Sequence, residues 1–378
     1  DADGRSAGAV LRIDLDAIRS NYRLLRSRAA PAECAAVVKA DAYGLGVRQV
    51  APVLAGEGCR VFFVAFADEG VVLRQCLDRI GADGGPDAGG IAIQVLGGLP
   101  AGSEPVFVRH RLIPVLNSLA EVEIWNAHAR RGQAPLPASL HVDTGMSRLG
   151  LPAAEVGALC AAPERLRGIR LVNILSHLAC ADEPGNELNR KQLAAFQAAL
   201  ACLPPAPPSL ANSSGIFLGP PYHLHMVRPG IALYGGAVLP DHPNPMTQVV
   251  RLQGKILQVR EIDRGQTVGY GATHRADRRE RIATVGVGYA DGYLRSLSNR
   301  GCGYVGGRRV PLVGRVSMDL VTFDVTGVPI DQVQPGAVID LIGPHNPIDR
   351  VAADAGTIGY EILTSLGSRY HRVYAGQH

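Results

Sequence analysis

The chain has 378 residues, 47% hydrophobic and 19% charged, a composition that supports packed cores and excludes a disordered chain. Its formal net charge of +4 is too small at this length to mark a nucleic-acid or membrane-surface binder. No apolar run approaches the roughly 20 residues of a membrane span. Seven cysteines, at 34, 59, 76, 160, 180, 202 and 302, are odd in number and lack metal-ligand spacing. They favour reduced thiols in a cytoplasmic protein over a disulfide framework, and no metal site is expected.

In chain order, residues 10–15 alternate like a short strand, and Asp16 is placed to cap a helix through Arg28 with Ile18, Tyr22 and Leu25 on one face. Apolar runs then recur at 35–39, 61–66, 91–96, 112–116, 139–143, 170–177, 209–212 and 230–234, separated by amphipathic stretches such as 68–80, 118–131 and 187–203. Asp68 and Ser118 sit where helix N-caps belong. Eight strands alternating with helices over about two hundred residues is the count of a (β/α)8 barrel. A doubly wound sheet gives the same alternation, but no glycine-rich dinucleotide fingerprint follows the first strand. The barrel is therefore expected over 10–240.

From residue 240 the character changes. The proline-rich stretch 240–245 reads as a linker, and strand-like runs follow at 249–259, 281–287, 309–313, 316–325 and 338–342. Gly306-Gly307 is a hairpin signal, and helical periodicity returns only near 350–355. A second, mostly antiparallel β domain is expected over 241–378, taking in residues 1–9.

Barrel chemistry gathers at the C-terminal ends of the strands. There the sequence places Lys39 after the first run, Arg148 past the fifth, His177 ending the sixth, Asn212-Ser213-Ser214-Gly215 after the seventh and Arg228-Pro229-Gly230 beside the eighth. Ala35-Ala36-Val37-Val38 runs straight into Lys39, so that amine leaves a buried strand, and desolvation lowers a lysine pKa toward nucleophilic use. A hydroxyl and glycine loop after strand seven, with Gly230 by strand eight, matches the common barrel phosphate site. A lysine beside a phosphate cradle points to pyridoxal phosphate held through the amine, or to a Schiff-base aldolase acting on a phosphosugar.

Ala36-Val37-Val38-Lys39-Ala40-Asp41-Ala42-Tyr43-Gly44 closely resembles the cofactor-lysine signature of bacterial alanine racemases. The resemblance covers essentially the whole chain. It continues through His141-Val142-Asp143-Thr144-Gly145-Met146-Ser147-Arg148, Ser176-His177, Asn212-Ser213 and Arg228-Pro229-Gly230-Ile231. Beyond the linker it covers Val268-Gly269-Tyr270-Gly271, Gly288-Tyr289-Ala290-Asp291, Ser317-Met318-Asp319 and Gly359-Tyr360-Glu361.

This resemblance implies a pyridoxal 5'-phosphate enzyme that interconverts L- and D-alanine, with Lys39 holding the cofactor and serving as one base. Tyr270 of the partner subunit in a homodimer is implied as the second base. Both groups titrate at about 10 when unperturbed, so nearby cations, or for the lysine burial, must lower them. Arg228 is implied at the pyridine nitrogen, to which it can only donate. His177 is implied beside the cofactor ring, and Asn212 in the same cofactor-binding loop. Tyr43, Ser213, Gly230, Ile231 and Tyr360 are implied at the phosphate. Arg148 is implied at the cofactor phenolate or the substrate carboxylate, with Met318 and Tyr289 walling the substrate side chain and Asp319 positioning Met318 or Tyr270.

Three departures from the family pattern stand out. His141 occupies the place of a lysine, often carbamylated, that contacts the arginine; Leu45 stands for histidine and Ser317 for cysteine. A broad-specificity racemase is the nearest alternative. A basic amino-acid decarboxylase is further off, since it carries a carboxylate where this chain has Arg228-Pro229-Gly230-Ile231. A non-catalytic cofactor carrier leaves the second domain unexplained.

Overall fold

The computed structural model describes residues 6–82, 90–132, 134–240 and 242–376. Strand β1 (Ala9–Asp14) opens the chain and runs directly into the helix Leu15–Ala29. Asp14, not Asp16, caps that helix, its carboxylate accepting the Ala17 N–H at 2.9 Å. Ile18, Tyr22 and Leu25 are buried along the expected face.

The barrel follows as β2 (Glu33–Cys34), β3 (Ala36–Val37), β4 (Val61–Val64), β5 (Ala92–Val95), β6 (Leu112–Leu116), β7 (Leu136–His141), β8 (Ile169–Leu175), β9 (Pro208–Ser209) and β10 (Met226–Val227). All are parallel, in the order β2-β10-β9-β8-β7-β6-β5-β4-β3. The two ends of that order, β2 and β3, are halves of one extended segment, so the sheet closes on itself. Both faces of such strands are covered, which is why all five residues of β6 are buried and its sequence is unbroken apolar. Inside the barrel, Gln94 donates to Asn173 Oδ1 at 2.6 Å and accepts from Ser139 at 2.8 Å, so the buried polar groups satisfy one another.

The expected eighth strand at 230–234 is instead a one-turn 3-10 helix, Ile231–Tyr234, and β10 ends at Val227. Pro229 lacks an N–H for a ladder, and Gly230 (φ −124°, ψ −87°) turns the chain out of strand geometry. Ser118 caps the helix Leu119–Ala129 as expected. Asp68 does not cap its helix, which starts at Ala67; Glu69 takes the N–H groups of Ala65 and Phe66.

The cysteines depart from the reduced-thiol expectation. Cys160, in the helix Ala153–Ala161, is bonded to Cys202, in the helix Glu187–Cys202, with Cα atoms 5.5 Å apart. Their separation of 42 residues hides the fact that the two helices pack side by side. The other five cysteines are free.

The second sheet is built around β11 (Val250–Ile262), which pairs antiparallel with β1 and with the strands Glu280–Val285 and Val338–Ile342. The last strand, His371–Ala375, lies parallel to β1. Gly306-Gly307 closes the hairpin between Cys302–Val305 and Arg308–Pro311 with both residues at positive φ. Of the expected strand 316–325, only Val321–Asp324 is extended, so Ser317, Met318 and Asp319 lie in a loop. Asp241, within the expected linker, lies outside the described residues. No helix among those described is long and apolar enough to cross a membrane.

Candidate active site

Lys39 leaves the end of β3 half-buried at the barrel mouth. The four residues after it, Ala40, Asp41, Ala42 and Tyr43, all have φ between 52° and 56°, forming a left-handed turn. That geometry costs about 1–2 kcal/mol for each non-glycine residue, so surrounding groups must hold it. Glu69 Oε1 accepts the Ala40 N–H at 2.7 Å, and Asp41 Oδ1 accepts the Val47 N–H at 2.7 Å. From the last strand, Arg372 donates to the Gly44 carbonyl at 2.6 Å and Tyr374 to the Leu45 carbonyl at 2.9 Å. Burial, and then the charge of Arg148, lowers the Lys39 pKa; Glu69 opposes them.

Arg228 is buried behind the same mouth, with no carboxylate partner among the described residues. It donates to the Ser209 hydroxyl and to the carbonyls of Ser176 and Leu210, and burial lowers its pKa to about 10. Its Nη2 lies 3.5 Å from His177 Nδ1, a contact that can run only from the guanidinium to the ring. Burial, followed by Arg228, holds the His177 pKa well below its ordinary value, so the ring is neutral. Gln192 fixes this corner, donating to the His177 carbonyl at 2.9 Å and accepting from the Ala179 N–H at 2.9 Å.

Tyr43, Ser213, Gly230, Ile231 and Tyr360 meet beside the lysine turn. Ser213 Oγ accepts from the N–H groups of Gly230 (2.9 Å) and Ala232 (3.3 Å). The Tyr43 ring packs 4.7 Å from Tyr234 and 5.9 Å from Tyr360. A Cβ on Gly230 would lie 2.2 Å from the Tyr43 hydroxyl oxygen, so only glycine permits this approach. Asn212 turns its side chain to the Gly215 N–H at 2.9 Å and shapes the loop. The Tyr43 and Ser213 hydroxyls, brought together beside the Gly230 backbone, suit a phosphate dianion.

Arg148 rides on the loop 143–150. Burial raises the Asp143 pKa, but the N–H groups of Gly145, Ser147 and Met146 on its carboxylate outweigh this and hold it below the ordinary range. Arg148 itself is exposed, with no hydrogen bond or ion pair among the described residues, and its charge acts on Lys39, His141 and His177.

The remaining candidates sit in the β-rich part. Tyr270 lies on the turn of the hairpin formed by Thr267–Val268 and His274–Arg275 and is 73% exposed; Met318 is 54% and Tyr289 44% exposed. Asp319 pairs with Arg369 at 2.7 Å, and Arg369 also holds the buried Asp291 at 2.9 Å. No hydrogen bond, ion pair or ring contact among the described residues joins Tyr270, Tyr289 or Met318 to Lys39.

Sequence reasoning missed Glu69, Asn117, Gln192, Arg369 and Arg372. Asn117 alone carried a usable signal, because it directly follows β6 at the reactive end of the barrel.

Residues 13–238 match the family described as "Alanine racemase, N-terminal domain" and residues 249–374 "Alanine racemase, C-terminal domain". An alanine racemase of Rhodospirillum rubrum is 53% identical over 371 residues, 98% of this chain and 96% of that protein. A catabolic alanine racemase of Mesorhizobium japonicum is 48% identical over 98% of this chain and 94% of its own length. The crystal structure of the Bartonella henselae alanine racemase, with covalently bound pyridoxal phosphate, superposes with a TM-score of 0.91 at 43% identity, covering 97% of this chain and 99% of that one. Fold and both halves of the chain agree with these relatives: this protein belongs to the alanine racemase family.

Proposed function

We propose that this chain interconverts L- and D-alanine with pyridoxal 5'-phosphate bound at Lys39, as a homodimer in which each β-rich part completes the partner's barrel. The reading rests chiefly on one juxtaposition: a lysine of lowered pKa beside the Ser213–Gly230–Tyr43 cradle, with Arg228 buried behind it.

The cradle fits the cofactor's phosphate. When bound, pyridoxal phosphate draws electron density from the amino acid's Cα and makes its proton removable. The Lys39 amine takes or returns that proton on one face. Tyr270 of the partner serves the opposite face, consistent with its 73% exposure within one chain. Arg228 offers the ring nitrogen donors only, with no carboxylate to protonate it, which disfavours decarboxylase and transaminase chemistry. Arg148 orients the substrate carboxylate, and Met318 with Tyr289 limits side-chain size.

The reading assigns the lysine to a barrel over 10–240 and Tyr270 to a β part over 241–378 with residues 1–9, although β1 pairs with strands of that second part. The enzyme would supply D-alanine for peptidoglycan or serve L-alanine catabolism. A cytoplasmic setting suits the five free thiols; the Cys160–Cys202 bond is the observation against it.

Mixing inactive Lys39→Ala and Tyr270→Phe subunits tests base assignment and site sharing together. Random reassortment places one intact site in each heterodimer, restoring about a quarter of the wild-type rate. No recovery after subunit exchange is verified would overturn the shared two-base site.

A further inference from the structure

His141 ends β7, and its Nδ1 lies 2.7 Å from Asn117 Oδ1. The orientation of Asn117 is determined by its surroundings. Its Nδ2 donates to the Val115 carbonyl at 3.0 Å and the Leu96 carbonyl at 3.2 Å. Reversing the amide would set its oxygen against two carbonyl oxygens. Oδ1 therefore faces His141, and Nδ1 must carry the hydrogen. Burial, then the charge of Arg228, lowers the His141 pKa to about 4, with Asp143 opposing and Arg148 reinforcing that shift. The ring is neutral at pH 7, and its Nε2 has only a lone pair to offer.

The ring also meets the Arg148 loop. The Leu151 N–H donates to the His141 carbonyl at 2.7 Å and the Asp143 N–H to the Leu151 carbonyl at 3.0 Å, closing the loop at its base. A Cβ on Gly150 would lie 3.2 Å from His141 Cδ2, so the ring edge next to Nε2 abuts the loop two residues from Arg148. Arg148 has five N–H donors and no bonded acceptor among the described residues.

We propose that Asn117 locks His141 as a neutral Nδ1–H ring whose Nε2 accepts a hydrogen bond from Arg148 and aims that guanidinium at the substrate carboxylate. Asn117 and His141 are positioning residues. Unlike an anionic partner, the neutral ring leaves the charge of Arg148 undiminished, both for the carboxylate and for holding down the Lys39 pKa. The substrate half of this proposal rests on the function proposed above.

Nitrogen-15 NMR of the holoenzyme, with the His141 signals assigned by their loss in His141→Gln, tests the tautomer without relying on any variant's activity. A neutral Nδ1–H ring from pH 6 to 8 is expected; an Nε2–H or doubly protonated ring overturns the proposal. In kinetics, His141→Leu raises KM for L-alanine by about tenfold with kcat within about twofold, the loss expected for a hydrogen bond to a charged group. His141→Gln, which keeps one N–H and one carbonyl, recovers most of that loss. An unchanged KM in His141→Leu, or a Gln variant no better than Leu, contradicts it. Failure of the unaltered enzyme to racemise alanine removes the substrate half, whereas the tautomer still decides the Asn117–His141 half.

Discussion

The Glu69 carboxylate accepts the Ala40 N–H at 2.7 Å with one oxygen and the Ala65 N–H at 2.7 Å with the other. One side chain thus ties the left-handed turn after Lys39 to the end of the neighbouring barrel strand. Glutamine at 69 has a single acceptor oxygen and cannot serve both. Glu69→Gln is expected to cost about 1–3 kcal/mol, the penalty of an unmet backbone donor. It also removes the one carboxylate that raises the Lys39 pKa, so the basic-group limb of the pH–rate profile moves to lower pH. Denaturant titration and a kcat/KM profile check both effects; an unmoved limb contradicts the electrostatic half.

The gross architecture was legible because buried parallel strands write themselves as apolar runs, as at Leu112–Leu116. The reactive rim was legible because strand ends are where barrel side chains converge, which placed Lys39, His177 and Arg228. What stayed hidden depended on residues distant in sequence. Nothing local marks Glu69 as the acceptor for Ala40, or Gln192 as the bracket for His177. The 230–234 run is apolar enough for a strand, yet Pro229 and Gly230 divert it into a helical turn. Cys160 and Cys202 pair because two successive barrel helices lie together, a relation no spacing rule states.

Arg369 joins the loops that carry Tyr289 and Met318. It holds Asp319 and Asp291, while the Tyr289 and Ala290 N–H groups donate to the Ser317 and Met318 carbonyls at 3.0 Å. Removing that guanidinium leaves the buried Asp291 carboxylate without its ion pair and frees the Met318 loop to shift. Arg369→Leu is expected to raise serine relative to alanine turnover several-fold, the scale of small pocket changes. Competitive racemisation assays check this; an unchanged ratio with lowered melting temperature would assign Arg369 to stability alone.

Two half-buried, neutral histidines set an acid limit. His141 falls from an ordinary value near 6.5 to about 4, and His177 well below 6.5. Both bind protons more readily unfolded than folded, so their contribution is complete above about pH 6.5 and is lost as pH falls through the folded values. Each group in that window contributes a slope of about 1.4 kcal/mol per pH unit. Urea midpoints are expected to fall between pH 6.5 and 4, less steeply in His141→Gln. An identical slope in that variant contradicts the assignment.

The Cys160–Cys202 bond closes a loop of 42 residues. Restricting the unfolded chain that way is worth roughly 4 kcal/mol in the loop-entropy account. Reductant is expected to lower the melting temperature by several degrees. Alkylation of the denatured, unreduced protein should label five thiols, and reduction should raise that to seven. Seven reactive thiols before reduction would show the bond absent in solution.

Lys39 and Tyr270 are proposed to remove and return the Cα proton of alanine from opposite faces. The most direct measurement incubates the protein and pyridoxal phosphate with L-alanine in heavy water, following D-alanine by chirality and α-deuterium by mass. The account predicts D-alanine carrying one deuterium at Cα, with both signals lost in Tyr270→Phe. No D-alanine, with carbon dioxide released from lysine or ornithine instead, would contradict it.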